Sequence, residues 1–352
     1  MSSLYRFPAL RRIMPQLVIL AVVLLLNVMV FPEFFRIEFQ NGRLFGNLID
    51  VLNRGAPTAL VAIGMTLVIA TKGIDLSVGA VMAIAGATAA SLVVDGHGWG
   101  TALIGALIVG GLCGAWNGLL VAVLRIQPIV ATLVLMVAGR GIAQLITEGT
   151  ILTFNNEGLI RLGAGTVLGI PTPILVWLIL GGLTAFAVRR TALGMLIEAI
   201  GINERSSQLA GVNSRILLLC VYVVSGICAA LAGVIVAADI KGADANNAGL
   251  WLELDAILAV VIGGNSLLGG RFSIIASLIG AMIIQSVNSV ILLSGMPPEL
   301  NLVIKAMLIL SILVIQSPRV SHFLYILRAT VLETKPDSSA KGQRLTTKGD
   351  SQ

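Results

Sequence analysis

Six polar side chains stand inside long apolar stretches of this chain: Trp116, Asn117, Arg140, Gln144, Gln285 and Asn288. A polar group deep in hydrocarbon is costly unless it faces a bundle interior or water. Amides and a guanidinium offer donors and acceptors that match hydroxyl groups, and an indole offers an aromatic face. Together they suit the lining of a path for a polar solute, although hydrogen bonding from helix to helix accounts for each equally well. Three acids, Asp75, Glu253 and Asp255, lie near the ends of apolar runs. Asp75 opens such a run, where an aspartate most simply caps the helix that follows.

Enzymatic chemistry has little material. The chain contains no Gly-Lys dipeptide, so a G-x-x-x-x-G-K-[ST] phosphate loop cannot form and ATP is not hydrolysed by that route. No H-E-x-x-H motif occurs, and the only histidines, His97 and His322, fall at or beyond the ends of apolar runs. Cys113, Cys220 and Cys228 all lie within such runs, which suits packing better than a disulfide framework or a metal site. A membrane-embedded enzyme is not expected, nor any cofactor, metal or catalytic residue.

A second group of residues is conspicuous for the opposite reason. "EAIGINERSSQLAGVNSR", residues 198–215, is a polar island between two apolar runs in a chain that is 57% hydrophobic and 11% charged. Asn203 is a good N-cap, Glu204 suits the positive end of a helix dipole, and Gly211 suits the left-handed residue after a helix. A two-turn helix over 204–210 is expected. An isolated helix shorter than about 12 residues is marginal in water, so this one must pack on its own bundle or on a partner.

The elements that position these residues are transmembrane helices. A mean hydropathy of +0.99 over 352 residues is incompatible with a soluble core, since 23 basic and 17 acidic side chains cannot cover so large a surface. Runs of roughly 20 apolar residues, long enough to cross about 30 Å of hydrocarbon, recur as far as residue 316. About ten spans are expected: 14–31, 57–70, 76–94, 100–124, 129–146, 173–187, 216–238, 252–264, 272–293 and 302–315. The first is too long for a signal-peptide core and lacks a small-residue cleavage site. The glycines of "GALIVGGLCGAWNG", 105–118, predict close helix approach.

Lys and Arg favour the cytoplasmic side. With both ends inside, 16 of the 23 basic residues are cytoplasmic, among them Lys72, Arg125, Arg189, Arg190, Arg205, Arg215 and Arg271. The polar island then lies in the cytoplasm. The net charge of +6 reflects this topology and a basic tail able to touch anionic lipid; nothing reads as a nucleic-acid face. The chain divides into a basic N-terminus (1–13), a membrane domain (14–316) containing a cytoplasmic loop (188–215), and a polar tail (317–352) with a disordered composition from about residue 333. One internal echo pairs "VIATKGIDLSVGAVMAIAGA", 68–87, with "VIGGNSLLGGRFSIIASLIGA", 261–281, each a Gly-rich polar break between two spans.

Four segments, "GMTLVIATKGIDLSVGAVMAIAGA", "GRGIAQLITEG", "EAIGINERSSQLAGVN" and "LELDAILAVVIGGNSLLGGRF", resemble the permease subunits of bacterial ATP-binding-cassette importers of the ribose and galactose class. The similarity runs through nearly all of 14–316. "RLFGNLIDVLNRGAPTALVAIGMTLVIAT" and "ADIKGADANNAGLWLELDAILAVVIGG" look most like the galactofuranose importers within that class. The resemblance implies an all-α transmembrane bundle in a bacterial inner membrane that carries galactofuranose or a related monosaccharide. It further implies a separate ATP-binding subunit, a second permease subunit that is plausibly a different chain, and a periplasmic sugar-binding protein. In that family the loop matching 198–213 docks on the ATPase, so Glu198, Ala199, Gly201, Asn203, Glu204, Arg205, Leu209 and Gly211 are expected at that contact. The chain departs from the family pattern at Lys72, where a glycine generally precedes "GIDLSVG", and at Asn265. The rival class, an ion-coupled secondary transporter, would need an intramembrane carboxylate or histidine, or a cation site of unwound carbonyls.

Overall fold

A computed structural model of the chain describes residues 8–310 apart from 41, 296, 298, 299, 301, 308 and 309. One compact unit runs to residue 298. Its helices are α1 (Pro8–Val30), α2 (Asn47–Arg54), α3 (Ala56–Ala70), α4 (Val78–Val94), α5 (Trp99–Ala122), α6 (Pro128–Ile146), α7 (Glu157–Ala164), α8 (Thr172–Arg190), α9 (Leu193–Ile202), α10 (Glu204–Leu209), α11 (Ser214–Asp239), α12 (Leu252–Ile262) and α13 (Ile274–Leu293). Three two-stranded antiparallel pairs complete this unit: Glu38–Gln40 with Arg43–Phe45, Leu152–Thr153 with Gly242–Ala243, and Thr166–Val167 with Ile170–Pro171.

The expected count of ten spans is not what the described residues show. Six helices are long and apolar enough to cross a membrane (α1, α5, α6, α8, α11 and α13), and the α2–α3 pair, bent by 43°, makes a seventh. Of the remaining expected spans, α4 has 17 residues and α12 only 11. At 1.5 Å per residue α12 rises roughly 16 Å, about half the hydrocarbon thickness. Apolar composition extends beyond it, but Gly263, Gly264, Gly269 and Gly270 interrupt the helix before α13. Of the expected tenth span, 302–307 is helical and most of the rest lies outside the described residues, as does the tail.

The centre of the bundle is α11, which packs on α3, α4 and α5. Small residues permit this. A Cβ on Gly114 of α5 would strike the Tyr222 carbonyl of α11, and one on Gly226 would strike the Gly110 carbonyl, so the two backbones are in direct contact. With lipid as apolar as leucine, such close approach supplies the dispersion that holds membrane helices together. Around α3 almost every side chain is buried, whereas α1, α6 and α8 keep broad apolar faces exposed.

Helix direction divides the unit into two ends. At one lie the breaks at 71–77 and 263–273, the α5–α6 connection and α9–α10; at the other lie the strand pairs and α7. The internal echo thus corresponds to a structural correspondence, a helix break at the same end in each copy, and the breaks meet where the Gly270 N–H donates to the Ala70 carbonyl at 2.9 Å.

Candidate functional site: a capped end element and its polar supports

The polar island forms two helices joined by one residue. Asn203, extended at φ −154°, donates its N–H to the Ala199 carbonyl and ends α9; its side chain accepts from the Ser206 N–H at 3.0 Å and starts α10. The stop is a Schellman motif: Gly211 at φ +89° donates to the Gln208 carbonyl, and Val212 donates to the Ser207 carbonyl. Asn213 then caps α11 by accepting from Ile216. The expected two-turn helix is therefore present and is capped at both ends by its own sequence.

Packing sorts the residues expected at a partner into two sets. Glu204 faces its own bundle: its Oε1 accepts from Arg125 Nη1 at 2.7 Å, Gln208 Nε2 at 2.9 Å and Ser214 Oγ at 2.9 Å. Gly201 is buried against the breaks, where a Cβ would land on the Ala70 carbonyl oxygen and 2.6 Å from the Gly270 nitrogen. Glu198 and Ala199 are half-buried. The outward set is Asn203, Arg205, Leu209 and Gly211. Two apolar residues that sequence reasoning missed join it: Met195 is 70% and Ile202 64% exposed, one heptad apart on α9, while Leu209 is 86% exposed. Ile202 carried a signal as a large apolar side chain inside the polar island, whereas Met195, three residues before the island, continues an apolar run and carried none. Beneath α10 lies a cavity of about 290 Å³ bounded by Thr71 to Gly73, Arg125 to Pro128, Glu204 and Tyr222.

Behind this element lies a buried polar cluster. Asp75 Oδ1 accepts from the Ser77 N–H at 3.1 Å and the Ser77 hydroxyl at 2.6 Å, and Oδ2 accepts from the Ser225 hydroxyl at 2.8 Å. Asn117 Nδ2 donates to Ser77 Oγ at 2.8 Å. Asp75 is consequently not the N-cap of α4. That position belongs to Ser77, whose hydroxyl is committed to the carboxylate. The aspartate prefers the turn with its own second-next N–H and a bond to α11, both available because it sits in the break rather than at the helix start. The other break is ordered by Asn265, which donates to Ser277 Oγ at 2.8 Å and accepts from the Ser273 N–H at 2.7 Å. The two departures from the family pattern, Lys72 and Asn265, both sit in these breaks.

The six candidate path residues do not converge. Asn117 belongs to the Asp75 cluster. Arg140 Nη1 donates to the carbonyls of Ala245 at 3.0 Å and Ala248 at 2.6 Å, and Gln144 Nε2 donates to Asn246 Oδ1 at 2.7 Å. Those two clamp the α11–α12 connection at the opposite end. Asp244 there accepts from Asn246 and Asn247; the Asn247 amide above all holds its carboxyl below the usual carboxylate range. Gln285 and Asn288 pair on α13 at 3.4 Å, and Trp116 is half exposed on α5. Helical periodicity alone could not separate these groups, because each faces a different neighbour. Arg140→Ala is expected to free the 244–248 connection and Asn117→Ala to loosen the Asp75 cluster. Both should cut uptake several-fold while assembly persists; unchanged uptake in both would make these residues packing groups only.

Among the described residues, no three His, Cys, Asp or Glu side chains gather as metal ligands, and Cys113, Cys220 and Cys228 are free. Residues 47–313 match the family described as branched-chain amino acid transport system / permease component. The chain is 61% identical over 306 residues to the galactofuranose transporter permease protein YtfT of Escherichia coli K12, covering 87% of this chain and 90% of that one. It is 42% identical to the fructose import permease FruF of Bifidobacterium longum (80% and 81% covered). To the ribose import permease RbsC of Escherichia coli K12 it is 39% identical (84% and 89% covered). No solved structure matches the chain. With nearly all of the helical unit covered by these matches, the chain belongs to the branched-chain amino acid transport system / permease component family.

Proposed function

We propose that this chain is the sugar-conducting permease subunit of an ATP-driven importer in a bacterial inner membrane, with galactofuranose or a related monosaccharide as its solute. ATP hydrolysis belongs to a separate subunit that docks on α9–α10, a periplasmic binding protein delivers the sugar, and a second permease subunit, a different chain, completes the path. One observation carries the docking: a doubly capped element presents Met195, Ile202 and Leu209 outward while Gly201 and Glu204 fasten it to the bundle. Exposed apolar side chains on a rigid, otherwise polar surface suit the buried centre of a protein interface. The choice of solute is supported by the 61% identity to a galactofuranose permease. Both chain ends lie in the cytoplasm on this reading, supported by the clustering of Lys72, Arg125, Arg189, Arg190, Arg205, Arg215 and Arg271 at the α10 end.

Two measurements test it. A cysteine placed at 148–158 should react with an impermeant reagent added outside the cell, and one at Ser206 should not; the reverse pattern would invert the topology. Uptake of a labelled monosaccharide panel by the reconstituted complex should favour galactofuranose and require ATP. Uptake driven by a proton gradient without ATP would instead support an ion-coupled carrier.

A further inference from the structure

Lys72 occupies a backbone position made for glycine. It follows the C-cap of α3 at φ +64°, donating its N–H to the Ile69 carbonyl, and Gly73 donates to the Val68 carbonyl: a Schellman stop with lysine in the left-handed place. A side chain holds that conformation only against steric resistance. Its side chain reaches two further elements. The Cγ lies over Gly269, where a Cβ would come within 2.5 Å of it, and Nζ donates to the Ile202 carbonyl, the last of α9, at 2.9 Å. An ammonium is well placed there, since the final carbonyls of a helix lack intrahelical donors and carry its negative end.

One side chain therefore joins the α3–α4 break, the α12–α13 break and α9–α10. Arg125 repeats the device on the α5–α6 connection: it is also left-handed, at φ +59°, and it also donates to this element, through Glu204. Among the described residues at the α10 end, these are the two side-chain-bearing residues with positive φ. An exposed hydrogen bond contributes little to fold stability, because water competes for both partners. Its effect is felt instead where two bodies must move together.

We propose that Lys72 is a positioning residue of energy coupling, a strut that makes α9–α10 and the two helix breaks move as one body when the ATPase pulls on α10. The proposal rests on the reading that α9–α10 receives the ATPase, and it assigns transmission rather than docking to Lys72. In the reconstituted complex with ATPase and binding protein, Lys72→Gly should lower the ratio of sugar moved to ATP hydrolysed by about fivefold, the effect of losing one hydrogen bond from a coordinated motion. Its melting temperature should not fall, since glycine suits φ +64°, and ATPase capture should be unchanged. Lys72→Met, which keeps the stem over Gly269 and the same backbone strain, should behave like the glycine variant; Lys72→Arg should restore the ratio. A wild-type ratio in Lys72→Gly, or in Lys72→Met, would overturn the strut. Loss of ATPase capture by Lys72→Gly would overturn it as well, by making the residue part of the dock. Failure of the docking reading shows separately, as ATPase capture that survives charge at Met195 and Leu209.

Discussion

A chain carrying Met195→Glu and Leu209→Glu together is expected to lose its ATPase, with affinity reduced at least about 30-fold, because apolar anchors at the centre of an interface typically contribute 2 kcal/mol or more each. Both side chains are mostly exposed, Met195 at 70% and Leu209 at 86%, and glutamate is a good helix former, so α9 and α10 should persist. The check is co-purification of the ATPase with the solubilised variant, alongside its melting curve. An intact fold without captured ATPase would locate the dock on this face. Capture at wild-type affinity would reduce α9–α10 to a connection between α8 and α11.

Gly201→Val should have the other large effect, and a different signature. The added carbons would fall on the Ala70 carbonyl and beside the Gly270 nitrogen, which are themselves hydrogen-bonded across the two breaks. Neither is the far end of a flexible side chain, so α9 must lift. Overpacking of this kind costs about 1–3 kcal/mol. Because Met195 and Leu209 still point outward, the ATPase should remain bound while sugar uptake falls more than about tenfold, the equivalent of 1.4 kcal/mol in the driven step. Normal uptake would mean that the contact between α9 and the breaks takes no part in coupling. With the double glutamate variant, this result separates the two faces of one element, an outer face that holds the partner and an inner face that passes on its motion.

On the proposed docking of an ATPase at α10, the element would act as a lever resting on two hinges. Helix breaks are tolerated in a membrane only where their freed backbone groups find partners. At 71–77 the Ser77 N–H finds the Asp75 carboxylate and the Leu76 N–H finds Thr132; at 263–273 the partners include Asn265 and Gln16. The α9–α10 element touches both breaks through Gly201 and Lys72, so a displacement at α10 reaches α3, α4, α12 and α13 together. The breaks contrast with α11, which is locked to α5 by bare backbone contact.

Much of this architecture is written locally. The caps of α10 need only Asn203 and Gly211, whose side-chain and backbone preferences act within a few residues, so the helix is readable without knowing what surrounds it. Hydrophobic runs identify membrane helices for a similar reason, since the cost of an apolar or polar residue in lipid does not depend on its neighbours. The glycines of α5 announce close packing because only small residues let two helix backbones approach. Direction was not legible. A membrane helix is apolar towards lipid and towards protein alike, so composition could not say that α3 is enclosed while α6 and α8 face outward. The same blindness hid that Asn117, Arg140 and Gln285 hydrogen-bond to three different neighbours. Only tertiary structure decided that Asp75 ties α4 to α11 rather than capping α4, that Glu204 and Gly201 turn inward, and that α12 stops halfway. Each of these depends on which distant backbone arrives alongside, and a distant backbone leaves no mark on the local pattern.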